Sequence, residues 1–110
     1  MQHEHEYGES ILRDWTDREA RMPSARQSDD FRRFLDWCRF YGVDMPAAAE
    51  DVANYLLELM TDGATLPAIK RASKSIIAHY EHHHCPLARA PIQAALNLAA
   101  AQLAPNRTIN

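Results

Sequence analysis

The run from Phe31 to Lys74 constrains this chain more than any other stretch. It holds FLDWCRFYG, then PAAAEDVANYLLELMTDG, then ATLPAIKRASKSIIAHY, which continues to Tyr80. Each piece reads as an amphipathic helix followed by a stop signal. In the first, Phe31, Phe34, Leu35 and Cys38 fall at i, i+3, i+4 and i+7, one face of a helix. Trp37 and Tyr41 widen that face, and Gly42 is the natural residue past the C-terminus. Ser24 and Ser28 are the two candidate starts. Arg26, Arg32, Arg33 and Arg39 supply the polar side, interrupted by Asp29, Asp30 and Asp36.

A loop with Pro46 joins it to a helix over roughly Ala49–Thr61. There Val52, Tyr55, Leu56, Leu59 and Met60 form the stripe, Glu50 and Asp51 suit the positive end of the helix dipole, and Gly63 ends it. Thr65 caps the next helix, with Pro67 tolerated in the first turn. Ile69, Ala72, Ser73, Ile76 and Tyr80 share one side, and His82-His83-His84-Cys85-Pro86 closes it. A last helix spans Pro91–Leu103, with Ile92, Ala95, Leu96, Ala99 and Leu103 as its stripe. Upstream, residues 1–9 read as a polar tail, and Ser10 caps a short helix carrying Ile11, Leu12 and Trp15. It fades near Arg21, because Pro23 disfavours helical geometry at Met22. The expectation is an all-α domain, a small bundle of four or five short helices. Residues 1–20 form an acidic tail with a possible first helix, and residues 21–110 form the folded unit.

Length and composition agree with a single globular domain. A chain of 110 residues supports a modest core, and 46% hydrophobic with 25% charged residues is ordinary. The longest uncharged stretch, Ala90 to Asn106, is too short and too polar to span a membrane. Cys38 and Cys85 are far apart and form no CxxC pair, which reads as reduced thiols in a cytoplasmic protein.

The net charge of −3 argues mildly against nucleic acid, but its distribution matters more. The first 20 residues hold six acids and two bases, whereas residues 63–80 hold three bases and no acid. On that helix Lys70, Arg71 and Lys74 occupy an arc of about 100° opposite the apolar stripe, and Ser75 and Ala78 extend the same face. A face of this kind fits phosphates. It also fits an ordinary solvated helix surface.

The order of these signals resembles the N-terminal core-binding domain of tyrosine recombinases, or phage integrases. Members show a helix ending in F..WC...G, a loop with Pro, a DV..YL..L...G helix and a further helix carrying two Ile and then a His. Here those read Phe34-Leu35-Asp36-Trp37-Cys38 with Gly42, then Pro46, then Asp51-Val52 with Tyr55-Leu56 and Gly63, then Ile69 with Ile76 and His79. The likeness covers about residues 24–103 and rests on order and spacing rather than on one motif. It departs from the family upstream, where a T..AY pattern is replaced by Pro23 and Gln27. The Arg, His and nucleophilic Tyr of the catalytic domain are absent, so the chain reads as an excised domain or a stand-alone relative.

The resemblance implies a SAM-like bundle that clamps double-stranded DNA together with its catalytic domain, positioning rather than cutting it. On that reading Lys70, Arg71 and Lys74 neutralise phosphates, with Thr65 and Ser75 as neutral donors and Arg26, Arg32 and Arg33 added from the preceding basic helix. About 3–5 neutralised phosphates give only weak non-specific affinity. The last helix often packs on a neighbouring recombinase protomer in the family. Its lack of charge makes Leu96, Leu98 and Leu103 the candidate protein interface. A helical protein-interaction module acting through this helix is the rival reading.

His79, His82 and His83 have a spacing that can place two imidazoles on one metal, but a zinc site needs three or four placed ligands, so no metal or cofactor is expected. Cys38, inside an apolar stripe, reads as a core residue. No nucleophile elbow, phosphate loop or paired-carboxylate motif is present.

Overall fold

The computed structural model describes residues 25–103, with side chains from Asp29 onward. The acidic tail and the helix expected from Ser10 lie outside the described residues. Four helices follow in order: α1 (Ala25–Tyr41), α2 (Ala49–Thr61), α3 (Leu66–His82) and α4 (Ala90–Leu103). The described residues contain no strand. This is the small all-α bundle the periodicities predict. The bounds of α2 match the expected ones, α1 takes the earlier of its two starts, and α4 begins one residue ahead of Pro91.

The stripes meet as the spacing requires. Phe31, Phe34, Leu35 and Cys38 are buried from α1, Val52, Tyr55 and Leu56 from α2, Ile69, Ala72, Ile76 and Tyr80 from α3, and Ile92, Ala95 and Ala99 from α4. Burying each large side chain contributes about 1.5–3 kcal/mol. The main pairings are α1 on α3 and α2 on α4, and α3 also touches α2 and α4, so it is the central helix. Leu59, Met60 and Leu96 are only half-buried, and Leu103, expected in the stripe, is exposed at the end of α4.

Polar bonds fix the joins. The Tyr80 hydroxyl donates to the Ala47 carbonyl at 2.7 Å in the interior, holding the α1–α2 loop against α3. Met45 and Ala47 of that loop are buried. Glu58 of α2 accepts from Trp37 Nε1 at 3.1 Å and from the Tyr41 hydroxyl at 3.3 Å, using both oxygens to tie α2 to α1.

Three helices end in one motif. Val43 N donates to Cys38 O, Ala64 N to Leu59 O and Cys85 N to Tyr80 O, at 2.8–2.9 Å. Each such closure places the preceding residue in left-handed backbone. Gly42 (φ +71°) and Gly63 (φ +97°) meet that need, as their role as stop signals predicts. At the third site His84 does so with φ +54°, where no glycine is available.

Candidate nucleic-acid interface

Thr65 caps α3 as expected, its hydroxyl oxygen accepting from Ala68 N at 3.3 Å. Pro67 occupies the first turn, and that turn carries no acid. Lys70, Arg71 and Lys74 are all exposed on the outward side of α3.

Ser75 corrects the sequence reading. It is 1% exposed, so it does not extend the basic face. The reason is the central place of α3. Packed on by three helices, it buries an arc of about 160°, from Ser75 round to Ser73, and the strip of Lys70, Lys74 and Arg71 lies on the remaining side, with Glu81 exposed on that side toward the helix end. A two-sided stripe extrapolated from Ile69 and Ile76 underestimates that arc. Ala78, between Lys74 and Arg71 around the helix, is half-buried.

The three cations of this strip are not equivalent. Arg71 Nε lies 3.1 Å from Asp30 Oδ2 of α1, and the Asp30 side chain is only 11% exposed against 57% for Arg71. Among the described residues, Lys70 and Lys74 have no ion-pair partner. On α1, Arg32 approaches Asp29 at 4.0 Å on an exposed surface. Arg33, about 100° further round the helix, lines an open cleft of about 310 Å³ with Asp29, Asp30 and Arg71. The fold therefore gathers Arg33 beside Arg71 and leaves Arg32 on the other flank of α1. The side chain of Arg26 lies outside the described ones.

The sequence reading missed Asp30 as the partner of Arg71. Its signal was an aspartate one residue before Phe31, at the edge of an apolar face.

His79, at the end of the motif, is a packing residue. Its ring stacks on Phe31, with centroids 4.4 Å apart and planes within 4°, and Nδ1 lies 2.6 Å from the Ser75 carbonyl oxygen. Burial lowers its pKa below 6.5, outweighing the bond to Ser75, which acts the other way. The neutral ring, donating from Nδ1 to that carbonyl, is the form that fits. His79 thus points into the core while His82 is exposed, and the described residues contain no group of three metal-ligating side chains. Cys38 is fully buried, and burial, with help from the Asp51 carboxylate, pushes its thiol up to about 12. It is a core residue, as its position in the stripe predicts.

What this surface offers is a small set of cations on a rigid helix pair. Comparison with known proteins adds a relative. The chain is similar to an integrase/recombinase. The relative is an "Integrase/recombinase xerD homolog" from Selenomonas ruminantium, 30% identical over 73 residues, covering 62% of this chain and 21% of the relative. The chain therefore spans about a fifth of the length of the curated relative it matches. No family model matches, and no solved structure matches. The likeness agrees in kind with the resemblance read from the motifs.

On α4, Leu98 and Leu103 are exposed and Leu96 is half-buried, and the helix carries no charged residue. No helix among the described residues is long and apolar enough to cross a membrane.

Proposed function

We propose that this chain is the core-binding domain of a tyrosine recombinase or integrase and holds duplex DNA through the outer face of α3 and the adjoining side of α1. The observation that carries the reading is the pair Lys70 and Lys74, exposed and unpaired among the described residues, in a chain similar to an integrase/recombinase. Lys70, Lys74 and Arg33 serve as the phosphate contacts. Thr65 at the helix start supplies a neutral donor, and Arg71 divides its guanidinium between Asp30 and the duplex. Arg26 and Arg32 are flanking contacts in the same reading. The role is positioning. Cleavage belongs to a separate catalytic domain carrying Arg, His and Tyr, with which this domain closes around the duplex.

The uncharged face of α4 supports a second contact, with a neighbouring protomer on the same DNA. Exposed Leu98 fits a surface covered on assembly, with Leu103 exposed at the helix end and half-buried Leu96 on another side of α4. A helical protein-interaction module using this face alone is the alternative. Chemical-shift mapping with a duplex oligonucleotide separates the two. Perturbation along Thr65–Lys74 and around Arg33 is expected. Perturbation absent there, with Leu98→Glu abolishing self-association or partner capture, would leave the interaction module as the better account.

A further inference from the structure

Phe40 is 80% exposed and Tyr41 52% exposed. Their rings meet edge to face with centroids 4.9 Å apart, and the Tyr41 ring lies 5.1 Å from that of Trp37. Three aromatic rings thus form a ladder out of the core at the C-terminal end of α1, and the outermost packs on little but its neighbour. A single exposed apolar side chain needs no explanation, whereas a contiguous aromatic edge marks a contact surface.

The charges around this edge have one dominant sign. Glu58 lies against both Trp37 and Tyr41. Asp62, at the end of α2, acts on Tyr41 together with Glu58, and both carboxylates raise its pKa. Asp36 precedes Phe40 by one turn on the same exposed strip of α1. Of the nearby cations, Arg39 lies on the flank of Phe40 away from Tyr41, and Arg33 lies two turns back along the helix.

We propose that this aromatic edge docks a cationic segment of a protein partner, with an Arg or Lys side chain lying on Phe40 and Tyr41 and its charge facing Asp36, Glu58 and Asp62. A cation over an aromatic face is attracted by the ring quadrupole, and a carboxylate rim adds to that attraction. Nucleic acid fits poorly, because a stacked base brings its phosphate next to the same carboxylates. The edge is also separate from the basic strip, since Phe40 lies about 13 Å along α1 from Phe31, which packs on α3. The rings offer roughly 250 Å² of aromatic surface, the scale of an anchor within an interface. The contact is therefore weak on its own and sensitive to salt.

The test is a titration of the 110-residue chain with a short synthetic peptide of alternating arginine and alanine, followed by nitrogen–proton correlation spectra. Shifts centred on the Trp37 indole, Phe40, Tyr41 and Gly42 are expected, weakening as salt is added. Phe40→Ala, at a site the core does not use, should reduce affinity by at least about tenfold, as loss of an anchor does. The pair Asp36→Asn and Asp62→Asn should keep the rings and flatten the salt dependence. Absence of shifts at this edge, or undiminished binding by Phe40→Ala, overturns the proposal. So does equal binding of a glutamate–alanine peptide. Stronger shifts at the same residues with single-stranded oligo-dT also overturn it and assign the edge to base stacking.

Discussion

Arg71 of α3 donates from Nε to Oδ2 of Asp30 on α1, across 3.1 Å and 41 positions of sequence. The carboxylate is nearly buried and the guanidinium is half in solvent. This pair separates the cations of the α3 strip into one that holds the bundle together and two that serve only the surface.

Arg71→Ala should therefore destabilise the fold by about 1–2 kcal/mol, since it strands a poorly solvated carboxylate while the exposed half of the pair contributes little. Lys70→Ala and Lys74→Ala should each change stability by less than about 0.5 kcal/mol. Urea unfolding followed by circular dichroism checks both. Equal effects at all three positions would mean that the Asp30 contact has no structural weight.

His79 should make stability depend on pH in a defined direction. Burial holds the folded-state pKa below 6.5, so in the window beneath that value the unfolded chain binds more protons than the folded one. Stability is full above pH 6.5 and falls as the pH drops toward the folded pKa, at up to about 1.4 kcal/mol per pH unit. His79→Gln, which cannot titrate, should lose that slope below pH 6.5. Thermal or urea unfolding across this range reads the difference. A variant with the wild-type slope would place the titration elsewhere.

At the end of α3, His84 occupies the left-handed position that Gly42 and Gly63 fill at the ends of α1 and α2. A side chain there costs about 1–2 kcal/mol of backbone strain, partly offset by the greater chain entropy that glycine loses. His84→Gly should stabilise the protein by about 0.5–1 kcal/mol. A destabilised variant would show that the imidazole makes a contact worth more than the strain.

Much of this architecture was legible because apolar spacing is local. Phe31, Phe34, Leu35 and Cys38 are buried together, as one helical face requires, and α2 keeps its expected bounds. Gly42, Gly63 and Thr65 end and start helices because their chemistry suits those positions. The candidate site was only half legible. Lys70 and Lys74 stand out on a helix turn without acids. The burial of Ser75 depends on how many helices surround α3, and the Arg71–Asp30 pair joins segments far apart in sequence. His84 at a helix end carries no composition signal, since only the hydrogen-bond closure demands its backbone angle.

The proposed contact of α3 with duplex phosphates rests on Lys70 and Lys74. The most direct measurement is the salt dependence of duplex DNA binding by this chain and by its Lys70→Ala, Lys74→Ala double variant. With Arg33, Arg71 and the flanking arginines bringing the contacts to about 3–5 phosphates, the wild-type slope of log K against log salt should be about −3 to −5. The double variant should bind more weakly and lose about 2 units of that slope, at unchanged folding stability. A double variant with wild-type affinity and slope would mean that Lys70 and Lys74 make no phosphate contact.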